Sequence, residues 1–181
     1  LMTLEFQPFR KIPRLARDIC ITEKLDGTNA IIHISDSNEI TPGSRSRWIS
    51  INSDNYGFAK WVLANTEELL KLGPGNHNGE WWGKGIQRNY NLSEKRFSLF
   101  NVSLQGMPSL PSCCHFVPVL YKGPFDTSAI DKTLDELSKY GSVASPGFMN
   151  PEGVVIYHTQ ANTFFKKTLE NDRKRKGEIT C

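Results

Sequence analysis

Short runs of β-forming residues, interrupted repeatedly by turn signals, constrain most strongly what this chain can fold into. They occupy 18–23, 29–35, 39–46, 78–82, 96–102, 115–121, 153–158 and 163–168. Runs of that length cannot bury their apolar side chains alone and have to pair into sheets. Two helical stripes break the series. Phe58, Trp61, Val62, Asn65, Leu69 and Leu72 follow a helix period with one polar gap, and Gly73-Pro74-Gly75 stops it. A second helix is expected over about 128–140, with Ile130, Leu134 and Leu137 on one face and Ser128 and Asp131 at capping-box spacing. The pattern predicts an α+β fold of antiparallel sheets flanked by a few helices.

At 181 residues and 38% hydrophobic content, the chain can build one real core, or two small lobes that share a cleft. No repeat, low-complexity linker or boundary divides it, so 1–181 reads as a single domain. The net charge of +3 is mild, yet six of the 22 basic residues sit in Lys166-Lys167 and Arg173-Lys174-Arg175-Lys176. That balance suits a nucleotide or nucleic-acid ligand without requiring one. Cys20, Cys113, Cys114 and Cys181 form no Cys-x-x-Cys pair, which excludes zinc spacing and argues for free thiols. With no transmembrane-length apolar run and no signal peptide, a cytoplasmic protein without membrane contact is expected.

The stretch "ITEKLDGTNA", Ile21 to Ala30, sets Lys24 at the end of one apolar strand and just before a tight turn into the next. A free lysine is protonated and a poor nucleophile at neutral pH; burial or a nearby cation can free an amine for covalent chemistry. Gly27 would let the backbone approach a phosphate or base closely, and Glu23 and Asp26 supply carboxylates. Alone, Lys-x-Asp-Gly is equally a plain surface hairpin. Four further stretches narrow the reading. "GEWWGKGIQRNY" (79–90) brings Glu80 to a strand end before a Gly-rich basic loop. "RFSLFNV" (96–102) carries Phe97 and Phe100, "PEGVVIYH" (151–158) opens an apolar strand with Glu152, and "TFFKKT" (163–168) ends one with Lys166 and Lys167.

In this order the five stretches resemble the nucleotidyl motifs of the covalent nucleotidyltransferase superfamily, which holds ATP-dependent DNA ligases, RNA ligases and mRNA capping enzymes. The resemblance spans residues 19 to about 170. DNA ligases and capping enzymes usually carry arginine two positions after the motif glycine, where this chain has Asn29. "TEKLDGTN" and "GEWWGKGIQ" are instead similar to the motifs of phage-type RNA ligases, the group that includes the kinetoplastid RNA-editing ligases.

The resemblance implies an ATP-grasp-like nucleotidyltransferase domain with the nucleotide cleft between its sheets. It also implies an ATP-dependent RNA ligase that forms lysyl-AMP at Lys24 and passes AMP to a 5′-phosphate polynucleotide end for sealing to a 3′-hydroxyl, in a nicked duplex among other substrates. Glu23 would accept from the adenine amine, Phe100 would stack on adenine, and Asn29 would lie in the nucleotide site. Arg45 would contact the nucleotide, with Arg47 close enough for the register to slip. Glu80 would hold the ribose, and Lys166 and Lys167 would bind phosphate. Asp26, Glu80 and Glu152 would offer oxygens to Mg²⁺ or Mn²⁺, directly or through water, and the metal would steady developing phosphate charge. Lys84, Arg88 and the 173–176 cluster are candidates for RNA backbone contacts.

Asn101 stands where the family commonly has Asp, and Lys166-Lys167-Thr168 where it has Lys-x-Lys. An appended oligonucleotide-binding barrel or helical domain is not expected within these residues, which leaves a minimal ligase, a truncated one, or a protein that adenylates itself and needs a partner to engage RNA. A DNA ligase, a capping-type enzyme and a non-catalytic nucleotide-binding domain are the alternatives.

Overall fold

The computed structural model describes residues 4–172. Two sheets account for the β signals. The first has the order β7-β1-β8-β9, built from β1 (Asp18–Lys24), β7 (Val119–Pro124), β8 (Gly153–His158) and β9 (Thr163–Thr168). The second has the order β3-β2-β4-β5-β6, from β2 (Thr28–Ile34), β3 (Ile40–Ser44), β4 (Gly75–Gly83), β5 (Lys95–Leu99) and β6 (Cys114–Phe116). All pairings are antiparallel except β5 with β6. The expected α+β architecture is therefore what forms.

Where the sequence suggests one strand over 115–121, the chain builds two, and they belong to different sheets. Pro118 is the reason: it cannot donate to a ladder, so pairing stops there. The N–H of Val117 still bonds Leu99 of the second sheet, while the carbonyl of Pro118 accepts from Glu23 of the first.

The first helical stripe is also split. It forms α1 (Phe58–Ala64), α2 (Thr66–Leu69) and a 3₁₀ turn (Leu70–Leu72), with Asn65 at the break donating its side-chain amide back to the Trp61 carbonyl. The helix α3 (Thr127–Tyr140) is capped not by Ser128 but by Asp126, whose carboxylate accepts from the Ser128 N–H at 2.8 Å.

Period-2 alternation then sorts the side chains. In β1, Ile19 and Ile21 are buried and pack with Val154 and Ile156 of β8 against Ile130, Leu134 and Leu137 of α3. In β2, Ala30, Ile32 and Ile34 pack with Trp81, Phe97 and Leu99 against Phe58 and Val62 of α1. Each sheet thus covers one face with helix. Lys24 lies on the opposite face of the first sheet and Glu80 on the opposite face of the second. A third, small cluster of Leu25, Trp82, Tyr90 and Val117 joins the sheets where β1 turns into β2. Among the described residues no helix is long and apolar enough to cross a membrane.

Gly27 serves that joint. A Cβ there would lie 2.3 Å from the Trp81 carbonyl oxygen and 2.7 Å from Trp82 Cβ. The close approach is to protein backbone. Gly27→Ala is expected to cost about 1–3 kcal/mol, as an overpacked site does; urea unfolding of both proteins measures it.

Candidate active site

Lys24 is the last residue of β1, directly opposite Gly153 on β8. Its Nζ lies 2.9 Å from Glu152 Oε2, and the two side chains keep 24% and 17% of their surface. The lysine is reachable but held, one residue before the joint between the sheets. On the second sheet Asn29 of β2 pairs with Glu80 of β4. The Glu80 carboxylate reaches the turn itself, accepting from the Gly27 N–H at 3.1 Å. Burial pushes Glu80 up to about 7; the Gly27 N–H and the Lys24 charge pull the other way, and Glu152 and Asp26 push it further up. Lys24 and Asn29, on either side of one turn, are thus brought together with the distant Glu80 and Glu152.

Asp26 belongs to a different network. Its N–H donates to the Tyr90 hydroxyl at 2.8 Å, and its Oδ2 accepts from Arg88 Nε at 2.8 Å. Arg88 goes on to the Asn150 carbonyl and to Glu170 Oε1, both at 3.2 Å. Arg88 is consequently a tie between the lysine turn, the segment before β8 and the end of β9, and is not a free cation for RNA. Lys84 is exposed, as expected of such a cation, and the 173–176 cluster lies outside the described residues.

Glu23 departs most from expectation. Being next to Lys24 on a strand, it must face the other way. It is 1% exposed, in the position an apolar residue would take after Ile19 and Ile21. Oε1 accepts from Ser142 Oγ at 2.6 Å, and Oε2 from the Val143 and Ala144 N–H groups at 2.9 Å. Both oxygens accept from the loop after α3, on the face of β1 opposite to Lys24. Burial raises its pKa, against the pull of those three donors.

The same alternation separates the two closing lysines. Lys167 pairs with Val154, whose side chain is in the α3 core, and its Nζ meets Asp131 Oδ1 of α3 at 2.6 Å. It faces away from the Lys24 side, contrary to the expected phosphate contact. Lys166 pairs with Val155, itself opposite Thr22, and so shares the Lys24 face. The next position on that face, Thr168, is buried and bonds Asp172 Oδ2 through both N–H and hydroxyl.

Of the two neighbouring arginines, Arg47 is spent on its own loop, donating to the Ser53 carbonyl and hydroxyl and to the Asp54 carbonyl. Arg45 is exposed just past β3, the better placed of the two to meet a ligand. Phe97 is fully buried against α1, whereas Phe100 lies just past β5 and is half buried against the Leu25–Trp82–Tyr90–Val117 cluster. Asn101 caps the following 3₁₀ turn by accepting from the Ser103 N–H.

Among the described residues no group of three or more His, Cys, Asp or Glu is arranged to hold a metal. Of the expected Asp26–Glu80–Glu152 set, Asp26 is paired with Arg88 and Glu152 with Lys24, while both lie close enough to Glu80 to act on its charge. Glu80 and Glu152 still suit a hard cation that keeps its waters and borrows phosphate oxygens.

Residues 17–169 match the family model described as RNA ligase. The chain belongs to the RNA ligase family. Solved structures agree on the fold. A ligand-free lysine-to-alanine variant of the Naegleria gruberi RNA ligase matches with a TM-score of 0.64 at 18% identity, over 84% of this chain and 50% of that one. A glutamate-to-alanine variant of the same ligase with AMP and Mn gives 0.63 at 18%, over 85% and 50%. A form with PPi gives 0.60 at 19%, over 84% and 50%. This RNA ligase family member spans about half the length of those proteins. No curated protein sequence matches it.

The raised Glu80 has a consequence for pH dependence. Its unfolded carboxyl ionises near 4.5 and its folded one near 7, so the folded state holds the proton more tightly. The contribution to stability is lost as pH rises from about 4.5 to about 7. Glu80→Gln, which can still accept from Gly27, is expected to be more stable than wild type at pH 7.5, with the gap closing toward pH 4.5. Urea midpoints across that range measure it.

Proposed function

We propose that this chain is the adenylation unit of an ATP-dependent RNA ligase, with Lys24 as the nucleophile. The observation that carries the reading is the Lys24 amine, held by Glu152 beside the half-buried Glu80 at the junction of two sheets. Lys24 Nζ loses a proton and attacks the α-phosphorus of ATP; an N–P bond forms, the bond to the β-phosphate bridging oxygen breaks, and pyrophosphate leaves. A 5′-phosphate oxygen of RNA then takes the AMP, returning the amine. Attack by a 3′-hydroxyl expels AMP and makes the phosphodiester. The Naegleria relatives, solved with ATP and Mn or with AMP and Mn, support ATP as the donor.

Lys166, on the Lys24 face, binds the α-phosphate or the departing pyrophosphate. Asn29 and Arg45 contact the nucleotide, and the half-buried Phe100 offers a ring to adenine, a contact worth about 1–3 kcal/mol. Glu80 contacts the ribose. Glu80 and Glu152 would hold the waters of a bound Mg²⁺ or Mn²⁺, which neutralises triphosphate charge. Glu23 anchors the loop after α3, and Asp26 steadies the turn through Arg88 and Tyr90. RNA ends, one with a 5′-phosphate and one with a 3′-hydroxyl, are the substrates, a nicked duplex among the forms that present them, and a partner protein is one source of further RNA contacts.

Incubation with α-labelled ATP and Mg²⁺ or Mn²⁺ should label the protein, and Lys24→Ala should take up no label. No wild-type labelling across metals and pH would contradict the proposal. Strand register adds a sharper expectation: Lys166→Ala slows labelling about a hundredfold, as loss of a charge-stabilising donor does, and Lys167→Ala leaves it within a few-fold of wild type. Equal losses would place both lysines at the phosphate.

A further inference from the structure

The face of the first sheet that carries Lys24 continues well beyond it, and its register can be followed row by row. Lys24 lies opposite Gly153, which pairs with Thr168; Thr22 lies opposite Val155, which pairs with Lys166. The next row on the same face joins Lys122, Cys20, Tyr157 and Phe164 across four strands. Rows two residues apart are separated by about 6–7 Å, so this row begins about 13 Å from the Lys24 row. Tyr157 and Phe164 form a ring pair with centroids 4.7 Å apart at 35°. The Tyr157 hydroxyl is fixed by Asn162 Oδ1 at 2.8 Å. Phe164 is nevertheless 64% exposed; Lys166 is exposed two residues along the same strand, and Lys122 is exposed at the far edge of the row, beyond Cys20. The helix α3 packs on the other face of the sheet, with Val154 and Ile156. Phe164 lies on β9, the sheet's outer strand.

We propose that this row binds single-stranded RNA next to the end being joined, with a base stacked on Phe164 and the phosphates running along Lys122 and Lys166. The inference rests on the ligase reading above and extends it to the polynucleotide. An open sheet face that offers an exposed aromatic ring at one edge, a cation two residues along the same strand and another across the sheet is a sequence-tolerant platform, because every base has a π-face and every nucleotide a charge. Continuity favours RNA over a protein partner: Lys166 stands between the aromatic row and the adenylation site on one unbroken face. A strand stacked at Phe164 and paired with Lys166 is thereby led toward Lys24. Tyr157, its hydroxyl held by Asn162, packs its ring against Phe164 across the β8–β9 pair and holds it in place.

The test uses the 181-residue chain and a short 5′-phosphorylated single-stranded RNA carrying a fluorophore at its other end, with affinity read by anisotropy at fixed salt. Phe164→Ala should bind about tenfold more weakly, and Phe164→Trp should bind as well as wild type or better. Both variants should form lysyl-AMP from ATP alone at the wild-type rate, since the exposed ring touches no part of the adenylation site. Unchanged RNA affinity in Phe164→Ala would overturn the proposal. So would unchanged affinity accompanied by a loss of dimers in light scattering, which would assign the face to a second copy of the chain. A wild type that never labels with ATP would instead sink the ligase reading, while the affinity comparison would still decide this one.

Discussion

The contact on which the site depends is the ion pair between Lys24 and Glu152. It joins the last residue of β1 to the residue that precedes β8, two segments 128 positions apart in the chain. As a source of stability a partly exposed pair is minor, worth about 1 kcal/mol or less. Its importance is positional. It can form because Gly153 opens β8: a Cβ there would come within 2.3 Å of the Lys167 carbonyl oxygen, and the backbone takes φ 153°. A larger residue would push β8 away from β9 and carry Glu152 off the lysine. On the other side of Lys24, Gly27 lets the turn sit against the Trp81 carbonyl. The Glu-Gly and Asp-Gly pairs in the sequence are thus two close backbone approaches that bracket one amine.

Around this pair the chain commits its other charges to holding the turn. The loop after β4 winds through Gln87, Asn89, Tyr90 and Asn91, all at positive φ between 44° and 62°. Such a run is unfavourable for residues with side chains and persists only where the surroundings enforce it. Here the enforcement is visible: Tyr90 is buried in the cluster that joins the sheets, its carbonyl accepts from Ser145, and its hydroxyl receives the Asp26 N–H. Arg88, in the middle of the run, ties Asp26 to the ends of β8 and β9. Glu23 repeats the logic on the reverse face by clamping residues 142–144. The turn that presents Lys24 is therefore set from both faces of β1.

Much of this was legible in advance. Strand runs and two helical stripes are local signals, and most emerge with small boundary shifts, the exceptions being the 115–121 run and the first helical stripe, which are split. The ordered motifs brought Lys24, Glu80 and Glu152 to one place because a shared fold carries them together. What eluded the sequence was the facing of individual side chains. Period 2 alone separates Glu23 from Lys24 and Lys167 from Lys166, yet it decides nothing until the strand ends and partners are known. Glu23 was detectable in one respect, since it occupies the third inward slot after Ile19 and Ile21. Nothing local in the sequence reveals that Arg88 and Asp26 are each other's partner, so each looks there like a ligand contact. The switch of sheets at Pro118 had a plain signal, a proline inside an apparent strand.

Peptide-level mass spectrometry of the ATP-treated wild-type protein, locating any added AMP, tests the central claim most directly. The account predicts the adduct on the peptide containing Lys24, at its side-chain nitrogen and at no other lysine. An adduct on Lys166, Lys167 or any other residue would contradict it.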